Sequence, residues 1–363
     1  MLFPYTYISY SMENMQSYID YIFNNVWCKA KNKKYDVNSL FKGNKELKDI
    51  IIELDTSELK GAEFFLKGLQ LIFEDFKSLK PAQIKLLKHW YQSNNNIELC
   101  CLRDSSVSPV TYADISAAIS SEFSKHLKDF YKNLYSQDFL ALESIKNRVG
   151  DIDEHYQRFM SINKKGKCPF CGINIMKGIY HTKREAYDHY LPKDKYPFNS
   201  INFYNLVPAC HECNSSYKLS INPLLPIKNP LISGASEGRK AFYPFSSNTY
   251  SIKIEMVLST SNWNDISPDD IQINMKPNSL REMIDTWLDV YGIDERYKAK
   301  CCGESDGKGW IVQVLDEWKH DGREPDEFLK TLSRQTRNTP YCDDNFLKKP
   351  FLDACQKRGL FEV

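Results

Sequence analysis

In the stretch GAEFFLKGLQLIFEDFKSL, apolar residues recur every three or four positions. Phe64, Phe65, Leu69, Ile72, Phe73 and Phe76 fall on one stripe, and this spacing predicts an amphipathic helix. SPVTYADISAAISSEFSKHLKDFYKNLY reads as a second helix, with Thr111 or Asp114 as its cap. The polar run Ser93–Asn96 and the turn-like Arg103–Pro109 separate helices, so residues 1–150 are expected to be a helical domain with a packed core, the alternative being an arm that docks a partner or nucleic acid. Beyond residue 222 the pattern changes twice. NPLLPIKNPLISGAS reads as a linker, and TYSIKIEMVL alternates like a strand. Helical spacing then returns in SLREMIDTWLDVYGIDERY, GWIVQVLDEWKH and FLKKPFLDACQKRGL, so residues 223–363 are expected to be linker, short β element and α-rich region. The 363 residues thus divide into three parts, with residues 151–222 between two helical flanks.

Composition excludes more than it identifies. With 42% hydrophobic and 26% charged residues the chain is an ordinary globular one. No run of eighteen apolar residues is present to span a membrane, and the aromatic start MLFPYTYISYSMENMQ is unlike a signal peptide, so a cytoplasmic location is expected. A net charge of +1 rules out a globally basic nucleic-acid coat protein. Charge is nevertheless concentrated locally, because residues 161–220 carry nine Lys and Arg against four Asp and Glu.

Eleven cysteines, an odd number spread along a long chain, argue against a disulfide framework. Four of them form two pairs. Cys168-Pro-Phe-Cys171 is followed by Gly172, and Cys210-His211-Glu212-Cys213 repeats the spacing after 38 intervening residues. Thiolates three apart can turn both sulfurs onto one metal, and four thiolates make a closed, structural zinc site. The other seven cysteines read as reduced thiols, mostly buried. A redox CxxC would usually stand alone at a helix start, so paired CxxC motifs favour zinc over thiol–disulfide exchange.

Between and just after the knuckles lies AYDHYLPKDKYPFNSINFYNLVPACHECNSSYK. A strand ending in Tyr187-Asp188-His189, a loop through Pro192 and Pro197, a second strand over Tyr204–Val207 and a helix from Ala209–His211 would make a β-β-α unit. Asp188 is a hard oxygen ligand suited to Mg²⁺ or Mn²⁺, Asn214 on the helix would complete the metal pair, and His189 is the candidate general base.

The ordered pieces DHYLPK, NLVPAC and CxxCN, within Lys164–Ser220, resemble the HNH (ββα-metal) endonuclease family. The fold class the resemblance implies is mostly α with a small zinc-stapled α+β module. It implies hydrolysis of DNA phosphodiester bonds, with Asp188, His189, Asn205 and Asn214 as site residues. Asn205 would hold the backbone that carries His189, and Lys193, Lys195 and Lys218 would contact phosphates. In that family the last lysine commonly lies three residues after the motif Asn, whereas Lys218 lies four after Asn214. The wider layout is similar to bacterial antiphage defence proteins of the Septu-like kind, which implies an ATPase subunit as partner. The competing expectation is a zinc-ribbon module that binds nucleic acid or protein and cuts nothing.

Overall fold

The computed structural model describes residues 1–225 and 238–362. Its architecture is mostly helical, with two small antiparallel sheets and one cluster of four cysteines. Strands β1 (Tyr187–His189) and β2 (Leu206–Pro208) form the first sheet, and β3 (Lys253–Leu258) and β4 (Ile271–Lys276) the second. Among the described residues, no helix is long and apolar enough to cross a membrane.

The helix at Lys60–Ser78 buries Phe65, Leu69, Ile72, Phe73 and Phe76, while Phe64 is half-buried at the stripe's edge. It packs on the helix Ser121–Leu134. The Trp27 indole closes the contact from the side, standing edge-on to Phe130 at 5.3 Å and donating to the Leu69 carbonyl at 3.0 Å.

The single helix expected from Ser108 to Tyr135 is two, Tyr112–Ala118 and Ser121–Leu134. Thr111 caps the first and is itself bonded by Asp114 at the third helical position. Ser120 interrupts the run with extended backbone and accepts from the Phe123 amide. A serine hydroxyl that satisfies a free helix-start N–H makes the break favourable. The expected break at Ser93–Asn96 is confined to Asn96, because Ser93, Asn94 and Asn95 remain in the helix Pro81–Asn95. Asn94 stays there because its buried amide brackets the Val110 backbone, N–H and carbonyl both at 2.9 Å, and reaches Pro197 O at 3.0 Å.

In the C-terminal part, SLREMIDTWLDVYGIDERY is also two helices, Arg281–Tyr291 and Ile293–Cys302. They meet at Gly292, whose φ of +57° favours glycine. The strand read in TYSIKIEMVL is β3. Its partner β4 and the helix Pro325–Asn338 carry weaker patterns that the sequence alone does not mark. The helix Asn345–Lys357 packs on β3. Most of the expected linker, from residue 226 onward, lies outside the described residues.

The buried apolar side chains form one connected cluster that runs through all three sequence regions. The central segment therefore folds inside a core shared with both flanks. The β1–β2 loop is seated on the N-terminal helices by three side chains: Asn199 to Asn94 O at 3.1 Å, Ser200 to Tyr131 O at 2.6 Å and Asn202 to Asn95 O at 3.2 Å.

Candidate metal centre and hairpin site

The two cysteine knuckles converge. Cys168, Cys171, Cys210 and Cys213 are all buried, and their sulfurs lie within 4.8 Å of one another. A tetrahedral zinc with Zn–S of about 2.3 Å separates its sulfurs by about 3.8 Å. The Cys171–Cys210 distance is 3.9 Å, so the donor set fits that ion. Donors already point at the thiols: the Asn174 amide N–H to Cys171 at 3.5 Å, its side chain to Cys210 at 3.4 Å, and the Cys213 N–H to Cys210 at 3.4 Å. Hydrogen bonds from its neighbour thiols, joined by the Arg296 charge, hold Cys171 well below the ordinary thiol range.

The hairpin stands beside this corner. Asp188 pairs with Val207 and His189 with Leu206. The expected second strand begins two residues later than read, because Phe203–Asn205 is a 3₁₀ turn. That turn places Asn205, which is fully buried, directly under the loop. Its side-chain oxygen accepts from Leu191 N at 2.7 Å, and its amide donates to Leu191 O at 3.0 Å and Asn199 O at 3.3 Å. Its own carbonyl accepts from Tyr190 N at 2.9 Å. Three of these bonds fix the backbone immediately after His189, and the fourth ties it to the far side of the loop at Asn199.

The His189 Nε2 lies 2.9 Å from Ser200 O. A carbonyl only accepts, so Nε2 carries the proton and Nδ1 keeps its lone pair. Tyr135, from the end of the helix Ser121–Leu134, stands edge-on to the ring at 4.7 Å. Burial, reinforced by the Lys193 cation, lowers the His189 pKa to about 3. The ring is therefore neutral at pH 7.

Asp188 is buried, and its Oδ1 accepts from Lys218 Nζ at 2.8 Å. Burial raises the carboxyl above its usual range, while the Lys218 charge pulls in the opposite direction. Its Oδ2 is buried with no hydrogen-bond partner among the described residues. An acceptor left open in this way matches what a hard cation takes. Lys218 also donates to His189 O at 2.9 Å, and its side chain is fully enclosed. The structure thus binds the enclosed Lys218 ammonium to the two residues at the hairpin end.

Lys193 is half-buried, with its ammonium 3.2 Å from both Lys132 O and Tyr135 O, where it caps the helix Ser121–Leu134. Lys195 is exposed. Asn214 is half-buried, and its side chain makes no hydrogen bond among the described residues.

Asn214 and Lys218 both lie on the short helix that begins at His211 and continues over Cys213–Lys218 with π-type spacing. The Leu219 N–H reaches back five residues to Asn214 O at 3.0 Å. A π turn accommodates one extra residue without breaking the helix. That is how a lysine four residues beyond Asn214 comes to face Asp188.

Sequence reasoning missed Ser200, Tyr135, Asn174 and Arg296. Ser200 acts through its backbone carbonyl, which no side-chain pattern reports. Arg296 lies 83 residues beyond Cys213, outside any spacing motif.

The chain is similar to "Septu protein PtuB" of Bacillus thuringiensis, 33% identical over 76 residues. This match covers 21% of this chain and 28% of that protein. It is also similar to "Protein ea31" of Escherichia phage lambda, 41% identical over 64 residues, 17% of this chain and 19% of that one. The chain thus spans less than a third of either relative's length. No protein-family model matches it, and neither does any solved structure.

Proposed function

We propose that this protein is a metal-dependent HNH-type endonuclease that hydrolyses DNA, and that it serves as the nuclease of a bacterial antiphage system working with an ATPase partner. The observation that carries the reading is the hairpin end. There a neutral His189, its tautomer set by Ser200 O, adjoins an Asp188 carboxylate with one open oxygen. The similarity to a Septu protein supports the defence setting.

His189 Nδ1 is the proton acceptor for a water that attacks phosphorus. The new P–O bond forms from that water as the bond to the 3′-oxygen breaks. Asn205 keeps the His189 backbone in register, and Tyr135 restricts the ring. Asp188 and Asn214 are the residues to hold a Mg²⁺ or Mn²⁺ ion, which when bound stabilises charge on the phosphate and the leaving oxygen. The zinc corner is structural and takes no part in these steps.

The test is cleavage of supercoiled plasmid and single-stranded DNA with Mg²⁺ or Mn²⁺, with and without the ATPase partner, by wild type and His189→Ala. Cutting by wild type, slowed about 100-fold or more in the variant, is expected. No cutting by wild type under any of these conditions would sink the nuclease reading. Equal cutting by both proteins would remove His189 from the role of base.

A further inference from the structure

A zinc ion with four thiolates carries two net negative charges, and here all four sulfurs are buried. Burying net charge is costly unless it is paired and hydrogen-bonded. Backbone and amide N–H groups supply part of that compensation. The remaining donor comes from outside the cysteine segment.

Arg296, on the helix Ile293–Cys302, is buried. Its Nη1 lies 3.2 Å from Cys213 Sγ and its Nη2 3.0 Å from Glu212 Oε2. The same Glu212 oxygen accepts from Asn174 at 2.7 Å, and Asn174 also faces Cys210. The result is a closed ring through Arg296, Glu212, Asn174 and the two thiols of the second knuckle.

The other face of the guanidinium covers the Tyr217 ring at 4.7 Å. The Tyr217 ring in turn packs against the bare backbone at Gly292, where a Cβ would come within 2.3 Å of the ring. Arg296 thus grips both ends of the short helix, Cys213 at one and Tyr217, beside Lys218, at the other.

We propose that Arg296 completes the zinc site from the C-terminal region, balancing the charge of the zinc–thiolate cluster and positioning the helix that carries Asn214 and Lys218. The proposal rests on zinc occupying the four cysteines and is independent of whether the protein cuts DNA. A planar fork serves a thiolate and a carboxylate together. A lysine ammonium, a single point charge, cannot reproduce that geometry.

The test uses the full chain. Zinc content is measured by elemental analysis, zinc loss by transfer to a chromogenic chelator, and site geometry by the visible spectrum of the cobalt-substituted protein. Wild type, Arg296→Lys, Arg296→Met and Glu212→Gln are compared. One zinc in wild type is expected, with loss faster by about 10- to 100-fold in Arg296→Met, as for other groups that support metal ligands. Arg296→Lys falls between the two, and the cobalt spectrum is shifted in both.

Glu212 is 44% exposed on its side chain, so Glu212→Gln serves where Arg296→Met does not fold; severalfold faster loss is expected from it. Wild-type zinc retention and spectrum in Arg296→Lys and Glu212→Gln would overturn the proposal. A wild-type protein without zinc would overturn its premise, whatever its activity on DNA.

Discussion

The cysteine corner and the β1–β2 hairpin end are neighbours built on opposite principles. At the corner, four buried thiols face one point, and N–H donors and a guanidinium close in from behind. At the hairpin end the groups are only half satisfied. Asp188 shares one oxygen with Lys218 and leaves the other open, and the His189 ring is bonded at one nitrogen. A cluster closed in by donors on three of its four sulfurs holds shape, whereas a buried acceptor left open has capacity to bind. On the proposed reading, the difference separates a part that keeps the fold from a part that does chemistry.

The largest expected effect breaks the corner. Cys213→Ser removes one of four ligands, and structural zinc contributes ~10 kcal/mol or more to such sites. The variant should lose zinc by elemental analysis and become sensitive to proteolysis across residues 164–220. His189→Ala tests the other side. It should keep full zinc and a near wild-type melting temperature while any cleavage falls by about two orders of magnitude or more. A joint loss of zinc and activity in that variant would merge the two sites into one.

Lys218→Met sharpens the contrast within the hairpin end. Its ammonium is the partner of a buried carboxylate, and breaking such a pair from one side costs about 3–5 kcal/mol. Urea unfolding should show that loss, and the double variant Asp188→Asn/Lys218→Met should recover part of it. An unchanged midpoint for Lys218→Met would mean that the pair is not confined as described.

The smallest effect is a pH dependence. His155 is buried against Tyr187, and burial lowers its pKa to about 4. In the unfolded chain the ring protonates near pH 6.5. The contribution of this ring to stability is therefore constant above that pH and falls as the pH drops from about 6.5 to 4, by about 3 kcal/mol in total, alongside a separate contribution from His189. His155→Asn should make that part of the stability curve, measured by denaturant titration, less steep by that amount, leaving the His189 share in place.

The sequence made the long amphipathic helices legible because their stripes repeat over several turns, as at Phe65–Phe76. It hid the breaks at Ser120 and Gly292, where one residue's hydroxyl or backbone freedom outweighs a helical pattern on both sides. At the candidate site, CxxC spacing carries its own geometry, so the convergence of the four cysteines could be read directly. The bond from Ser200 O to His189 could not, since any residue offers a carbonyl. Nor could the destination of Lys218. On paper it is one more cation in a basic stretch, and only the five-residue turn at Asn214 brings it beneath Asp188.

The Arg296 contact also has a consequence in time. The chain is made from its N-terminus, so all four thiols leave the ribosome before the guanidinium 83 residues beyond Cys213. Leu2, whose N–H donates to Pro169 O, precedes the four cysteines in the chain, whereas Phe346, which lies beside Leu2 over Gly172, follows them and Arg296. If zinc is captured in that interval, it is held without the guanidinium and, on the role proposed for Arg296, exchanges more readily. In that role the guanidinium would close the shell around the metal only after the segment between Cys213 and Arg296 has been made.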